Sequence, residues 1–196
     1  MAVNSEQGNT VLRLWLLLRR VGDQLGLCED WVHSKYGLST EQFGVLASIK
    51  SRGPLKPSDL ASMLERSPNS ISMLVDRMVK AGLVRRTRDR ADRRVVFVSM
   101  TDKGGQAVDS AAPAGWEFIN KLLSPLSYDE QRALASTLET LKCELASYLN
   151  PEMDKAEVIK NSFTKDPDLY KRLVKNVLPA GYEAKRSVGK RSGKRM

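Results

Sequence analysis

Between Ser67 and Met100 the hydrophobic period of the chain changes once, and it changes abruptly. Ile71, Leu74, Val75, Met78 and Val79 recur at the i, i+3, i+4, i+7, i+8 spacing of an amphipathic helix. Ser67-Pro68 supplies an N-cap followed by proline at the first helical position, and Gly82 supplies a stop. Directly beyond it, Leu83–Thr87 and Val95–Met100 are rich in β-branched residues, with a polar segment of turn length between them. That is a hairpin signal, though Asn-Gly is missing from the turn. The tip reads Arg88-Asp89-Arg90-Ala91-Asp92-Arg93-Arg94, which projects cations beyond the body of the fold.

Helical patterns surround this unit. Leu14, Leu17, Val21, Leu25, Cys28 and Val32 form one stripe over about residues 10–35, with Leu12, Trp15, Leu16 and Leu18 outside it. A helix apolar on more than one side buries against more than one partner, and an oligomer interface is one way to do so. Ser39 with Gln42 predicts a capping box, Phe43, Leu46 and Ile49 a buried face, and Gly53-Pro54 the helix end. Leu60 and Leu64 mark a short helix before Ser67. Thr101 caps a helix that Pro113 and Gly115 are expected to kink or break. Ser127 with Glu130 opens a last long helix whose Leu134, Leu138, Leu141, Leu145 and Tyr148 form a near-heptad seam in need of a partner.

The net charge of +9 is not spread evenly. Residues 52–94 carry 11 Lys and Arg against 5 Asp and Glu, a net of +6, and residues 150–196 carry 12 against 6, again +6. Clustered cations call for an anionic partner or for solvation with surface ion pairs. The polar face of the 67–81 helix holds Asn69, Ser70, Ser72, Met73, Asp76, Arg77 and Lys80. Such a face is either an ordinary solvated surface or one shaped for close approach to base edges and phosphates. The residue types alone leave both readings standing.

Other classes fare worse. There is no phosphate loop, nucleophile elbow or metal-ligand spacing, and one histidine, so an enzyme is not expected, nor a cofactor or metal. The Leu14–Leu18 run is too short for a bilayer, the N-terminus lacks a signal-peptide pattern, and two cysteines make no disulfide framework, so the expected location is the cytoplasm.

The sequence resembles the MarR family of bacterial transcription regulators over about residues 10–149. The most specific element is "DRRVVFVSMT", in which Asp92, Arg94 and Thr101 fit the family's wing pattern and Met100 stands where leucine is usual. "VDRMVKAGLVRR", "LSTEQFGVL" and "MTDKG" match in the expected order. The resemblance implies a mostly α fold with a small β-hairpin wing: a winged helix-turn-helix lobe (39–100) embedded in dimerisation helices (10–36 and 101–149). It implies a homodimer on a pseudo-palindromic operator in double-stranded DNA, regulating transcription, as a repressor of its own or neighbouring genes. The recognition helix would enter the major groove with Ser67, Asn69, Ser70, Ser72 and Arg77, and Arg94 would reach the adjacent minor groove. Asp92 would help fix the wing, and Arg86, Arg88, Arg90 and Arg93 would contact phosphates. The alternative on the same scaffold is a protein- or RNA-binding module without effector sensing.

Family members often respond to a small, commonly aromatic effector, and the resemblance makes Trp15, Trp31, Tyr36 and Phe43 candidates for its pocket, with Trp116 and His33 behind them. Core packing competes for most of these, and His33 is expected at the surface or a helix end. Cys28 is expected to be buried and inert, Cys143 more exposed; oxidant sensing is the lesser reading of either. Beyond the family body, 151–184 carries a capped helical pattern around "DPDLYKRLVKNVLP", and 185–196, with six cations and no acid, reads as a disordered basic tail.

Overall fold

The computed structural model describes residues 5–89 and 92–149. Expectations for the 151–184 extension, the 185–196 tail and Arg90 fall outside the described residues. The elements run α1 (Ser5–Ser34), α2 (Thr40–Arg52), α3 (Pro57–Met63), α4 (Pro68–Lys80), β1 (Val84–Arg88), β2 (Val96–Met100), α5 (Asp102–Leu123) and α6 (Tyr128–Leu149). The chain is mostly α with one two-stranded antiparallel hairpin, as expected.

Local chemistry sets the boundaries. Gln42 N donates to Ser39 Oγ at 3.2 Å and Ser39 N to Gln42 Oε1 at 2.9 Å, the predicted capping box of α2. Ser70 N donates to Ser67 Oγ at 3.1 Å and starts α4. At its other end Leu83 N bonds Met78 O and Gly82 N bonds Val79 O, a six-to-one, five-to-two closure that requires Gly82 at φ 71°. The hairpin pairs Val84 with Met100 through Arg88 with Val96, and Leu55 adds one bridge to Val98.

The core is built from α2–α4, the wing base and the first half of α5. Leu46, Leu60, Ile71, Met78, Val45, Val75, Val84, Val98 and Val108 are fully buried. Val79, expected in the stripe of α4, sits at its margin and is exposed. The Lys50–Asp109 ion pair joins α2 to α5.

The tightest joint is at the start of α5. Thr101 Oγ1 accepts from Gly104 N at 3.1 Å and donates toward the carbonyls of Gly82 (2.7 Å) and Leu83 (3.0 Å). Lys103 Nζ bonds Ala81 O at 2.8 Å, occupying a carbonyl at the C-terminus of α4. Gly104 lies so close that a Cβ there would stand 2.1 Å from Leu83 O.

Three expectations are corrected. The break expected at Pro113 does not occur: α5 is continuous through it, because Val108, Ala111 and Ala112 bury on one side and hold the helix despite the lost N–H. Cys28 is exposed, because the helix stripe that carries it is largely uncovered in the single chain. Cys143 is half-buried. His33 lies in the last turn of α1, at the helix end as expected, and is buried there, because the chain reverses at Tyr36–Leu38 and folds α2 back over the end of α1. Its ring stacks on Phe43, centroids 4.2 Å apart, Nδ1 lies 3.3 Å from Thr40 Oγ1, and Nε2 has no partner.

Burial holds the His33 pKa below its ordinary 6.5, only partly opposed by the Asp30 carboxylate. The unfolded chain therefore takes up a proton at a higher pH than the folded chain does. Stability is full above the unfolded value and falls as pH drops toward the folded one. Thermal scans from about pH 7.5 to about pH 5.5 are expected to show a falling Tm, and His33→Phe to flatten that dependence. Gly104→Ala is expected to cost about 2–3 kcal/mol in urea unfolding, since the obstructing atom is backbone.

Candidate nucleic-acid interface

Pro68, Asn69 and Ser70 form an exposed, uncharged first turn on α4, with Ser72 half-buried beside them and Met73, Asp76, Arg77 and Lys80 further along. No acidic residue occupies that first turn. An anion therefore meets the positive end of the helix dipole and short polar side chains. Ser67 is already committed: its hydroxyl accepts from Ser70 N and lies 2.8 Å from Ser70 Oγ. Its first role is to cap the helix, which in turn orients Ser70.

The wing projects from the same lobe. Arg85, Arg86 and Arg88 are exposed on β1, and Asp92, Arg93 and Arg94 are exposed between the strands. The acids of the wing act on its backbone. Asp92 Oδ1 accepts from Arg94 N at 2.9 Å, and Asp89 Oδ1 accepts from Asp92 N at 3.0 Å. Asp89 N bonds Val95 O, and Val95 N bonds Asp92 O. Two carboxylates thus order the tight turn between the strands and offset part of its positive charge. Asp92, the aspartate expected to help fix the wing, accepts the amide of Arg94.

Sequence reasoning left one acid unassigned. Asp76, on the exposed side of α4, is ion-paired with Arg86 of β1. No period in the sequence signals the pair, since ten residues, a helix end and a turn separate the two side chains. Thr101, Lys103 and Gly104 likewise act at a distance, by fixing α4 to the wing base.

The four effector candidates are not brought together within one chain. Trp15 and Trp31 are 54% and 65% exposed on α1, and 16 residues of helix separate them by about 24 Å. Tyr36 is exposed at the α1–α2 turn, and Phe43 packs between His33 and the core. A groove of about 430 Å³ lies elsewhere, between α2, α3 and α4, lined by Leu64, Ile71, Met73 and Leu74 with Arg66 and Arg77 among its polar groups. It shares Ser70 and Arg77 with the exposed face of α4. Among the described residues no three His, Cys, Asp or Glu group to hold a metal, and no helix is long and apolar enough to cross a membrane.

The model of the MarR family matches residues 38–96. The HTH-type transcriptional regulator PecS of Dickeya dadantii is 30% identical over 133 residues, 66% of this chain and 80% of PecS. The HTH-type transcriptional repressor MdtR of Bacillus subtilis is 33% identical over 96 residues, 49% of this chain and 62% of MdtR. Among solved structures, a mutant of E. coli MarR complexed with operator DNA superposes with a TM-score of 0.62 at 25% identity, covering 68% of this chain and 96% of that one.

Because Ser67 spends its hydroxyl on the helix end, Ser67→Ala is expected to lower stability by about 1 kcal/mol in denaturant unfolding without any DNA present.

Proposed function

This chain belongs to the MarR family, and on that premise we propose that it is a homodimeric regulator of transcription that binds a pseudo-palindromic operator in double-stranded DNA. The observation that carries the reading is the joint exposure, on one rigidly fastened lobe, of the small polar first turn of α4 and the arginine-rich wing. Asn69 and Ser70 are the residues of choice for base edges, with Ser72 and Arg77 beside them. Arg94 would enter the narrow minor groove, where negative potential is concentrated. Arg88 and Arg93, and Arg90 from the sequence pattern, would neutralise phosphates, releasing counterions without reading sequence.

A second copy is the proposed cover for the apolar surface of the helical part. Every residue from Val11 to Leu18 on α1 is exposed, as are Leu134, Leu138, Leu141 and Leu145 on α6 and Ile119 and Leu122 on α5. So large a patch is unusual on a monomer. Two-fold pairing through these helices would set the spacing of two recognition helices. The regulator is proposed to act as a repressor of its own or neighbouring genes, in keeping with MdtR, and to change DNA affinity when a small effector binds. Trp15, Trp31, Tyr36 and Phe43 would then meet only where two chains combine.

The test begins by selecting a preferred duplex from a random pool with the purified chain. Arg94→Ala is expected to weaken binding to preferred and scrambled duplexes alike, and to reduce the salt slope by about one unit. Asn69→Ala is expected to cost about 1–3 kcal/mol on the preferred duplex only and to relax selection at one position. If neither substitution changes duplex affinity, these faces do not contact DNA.

A further inference from the structure

The Asp76–Arg86 pair stands apart from the rest of the basic surface. Asp76 is exposed on α4, one residue before Arg77. A carboxylate there, left alone, would repel the phosphates that its neighbours attract. Arg86 is exposed on β1, opposite Val98 in the hairpin register. Side chains alternate along a strand, so Arg86 shares the face of Val84 and Val98, both buried, whereas Arg85 and Thr87 lie on the other face with Ser99 and Phe97. The stem of Arg86 therefore leaves the strand on its core side, and its guanidinium meets Asp76 across the angle between helix and wing.

We propose that Asp76 and Arg86 are a positioning pair, a strut that sets the wing relative to α4 and so governs selectivity for the preferred duplex, and that Arg86 is not a phosphate contact. The proposal rests on the DNA-binding reading. A helix and a wing that must seat in neighbouring grooves bind best when their relative orientation is fixed in advance. The backbone closure at Gly82 and the Thr101–Gly104 joint fix the root of the wing. The ion pair acts at Arg86, two residues beyond Val84, and ties β1 directly to α4, while the Leu55 bridge holds the paired Val98 of β2. It also cancels the one acid among the exposed residues of α4.

The experiment uses the full chain, the duplex it selects from a random pool, and a scrambled duplex of equal length, each titrated over a range of salt. The variants are Asp76→Asn, Arg86→Gln, Asp76→Arg, and the exchanged pair Asp76→Arg with Arg86→Asp. The strut predicts that Asp76→Asn lowers affinity for the selected duplex by about two- to fivefold, although it removes a negative charge, and leaves the scrambled duplex unchanged or bound more tightly. Arg86→Gln, which leaves Asp76 bare, is expected to lower the ratio of selected to scrambled affinity with a change of salt slope well short of one unit. The exchanged pair is expected to recover more of that ratio than Asp76→Arg alone. Thermal scans of each variant check that the lobe stays folded, as expected for a surface pair. The proposal is overturned if Arg86→Gln reduces the salt slope by about one unit, as a lost phosphate contact would, or if Asp76→Asn tightens both duplexes equally. Failure of the unaltered chain to select any duplex would instead bring down the DNA-binding reading, and the proposal with it.

Discussion

Everything about this lobe depends on the absence of a side chain at Gly104. The first turn of α5 can sit against the Leu83 carbonyl only because nothing but hydrogen projects from that Cα. From this approach follow the hydroxyl bridge of Thr101 to the Gly82 and Leu83 carbonyls and the reach of Lys103 to Ala81. Three elements are joined there: the end of α4, the root of the wing and the start of the helix that leads back to α1. The wing cannot shift against α4 without disturbing α5, and α5 cannot shift without pulling on both. A rearrangement in the helical part thus has a short mechanical route to α4 and the wing.

Charge is arranged by the same economy. The acids in the basic segment do not merely dilute it. Asp89 and Asp92 accept backbone amides and give the wing turn its shape, and Asp76 holds Arg86. Arginines packed this densely would repel one another on a floppy loop; ordered by carboxylates, they form a directed surface. The first turn of α4 is left free of acid, where the helix dipole favours an anion.

Much of this was legible in the sequence because it is local. Ser39 and Gln42, Ser67 and Pro68, Gly82, and Thr101 are signals whose partners lie within a few residues, and each sits where the pattern placed it. The amphipathic stripe of α4 gave its core face, Val79 apart. What was not legible depends on the tertiary fold. The sequence places His33 at a helix end, where it is, but not its burial, which follows from α2 folding back over it, and Cys28 looks buried until the stripe that carries it proves to be uncovered in the single chain. Pro113 argues against a continuous helix on local grounds, and core contacts on one side outweigh it. The Asp76–Arg86 pair spans a helix, a turn and part of a strand, beyond any period a sequence displays.

The central claim is that α4 and the wing address adjacent grooves at once. Dimethyl sulfate interference on the selected duplex reads the two grooves separately, at guanine N7 in the major groove and adenine N3 in the minor groove. The account predicts guanine N7 effects in two half-sites about one helical turn apart, each flanked by adenine N3 effects on one side. Effects confined to a single groove, or none in either, would contradict it.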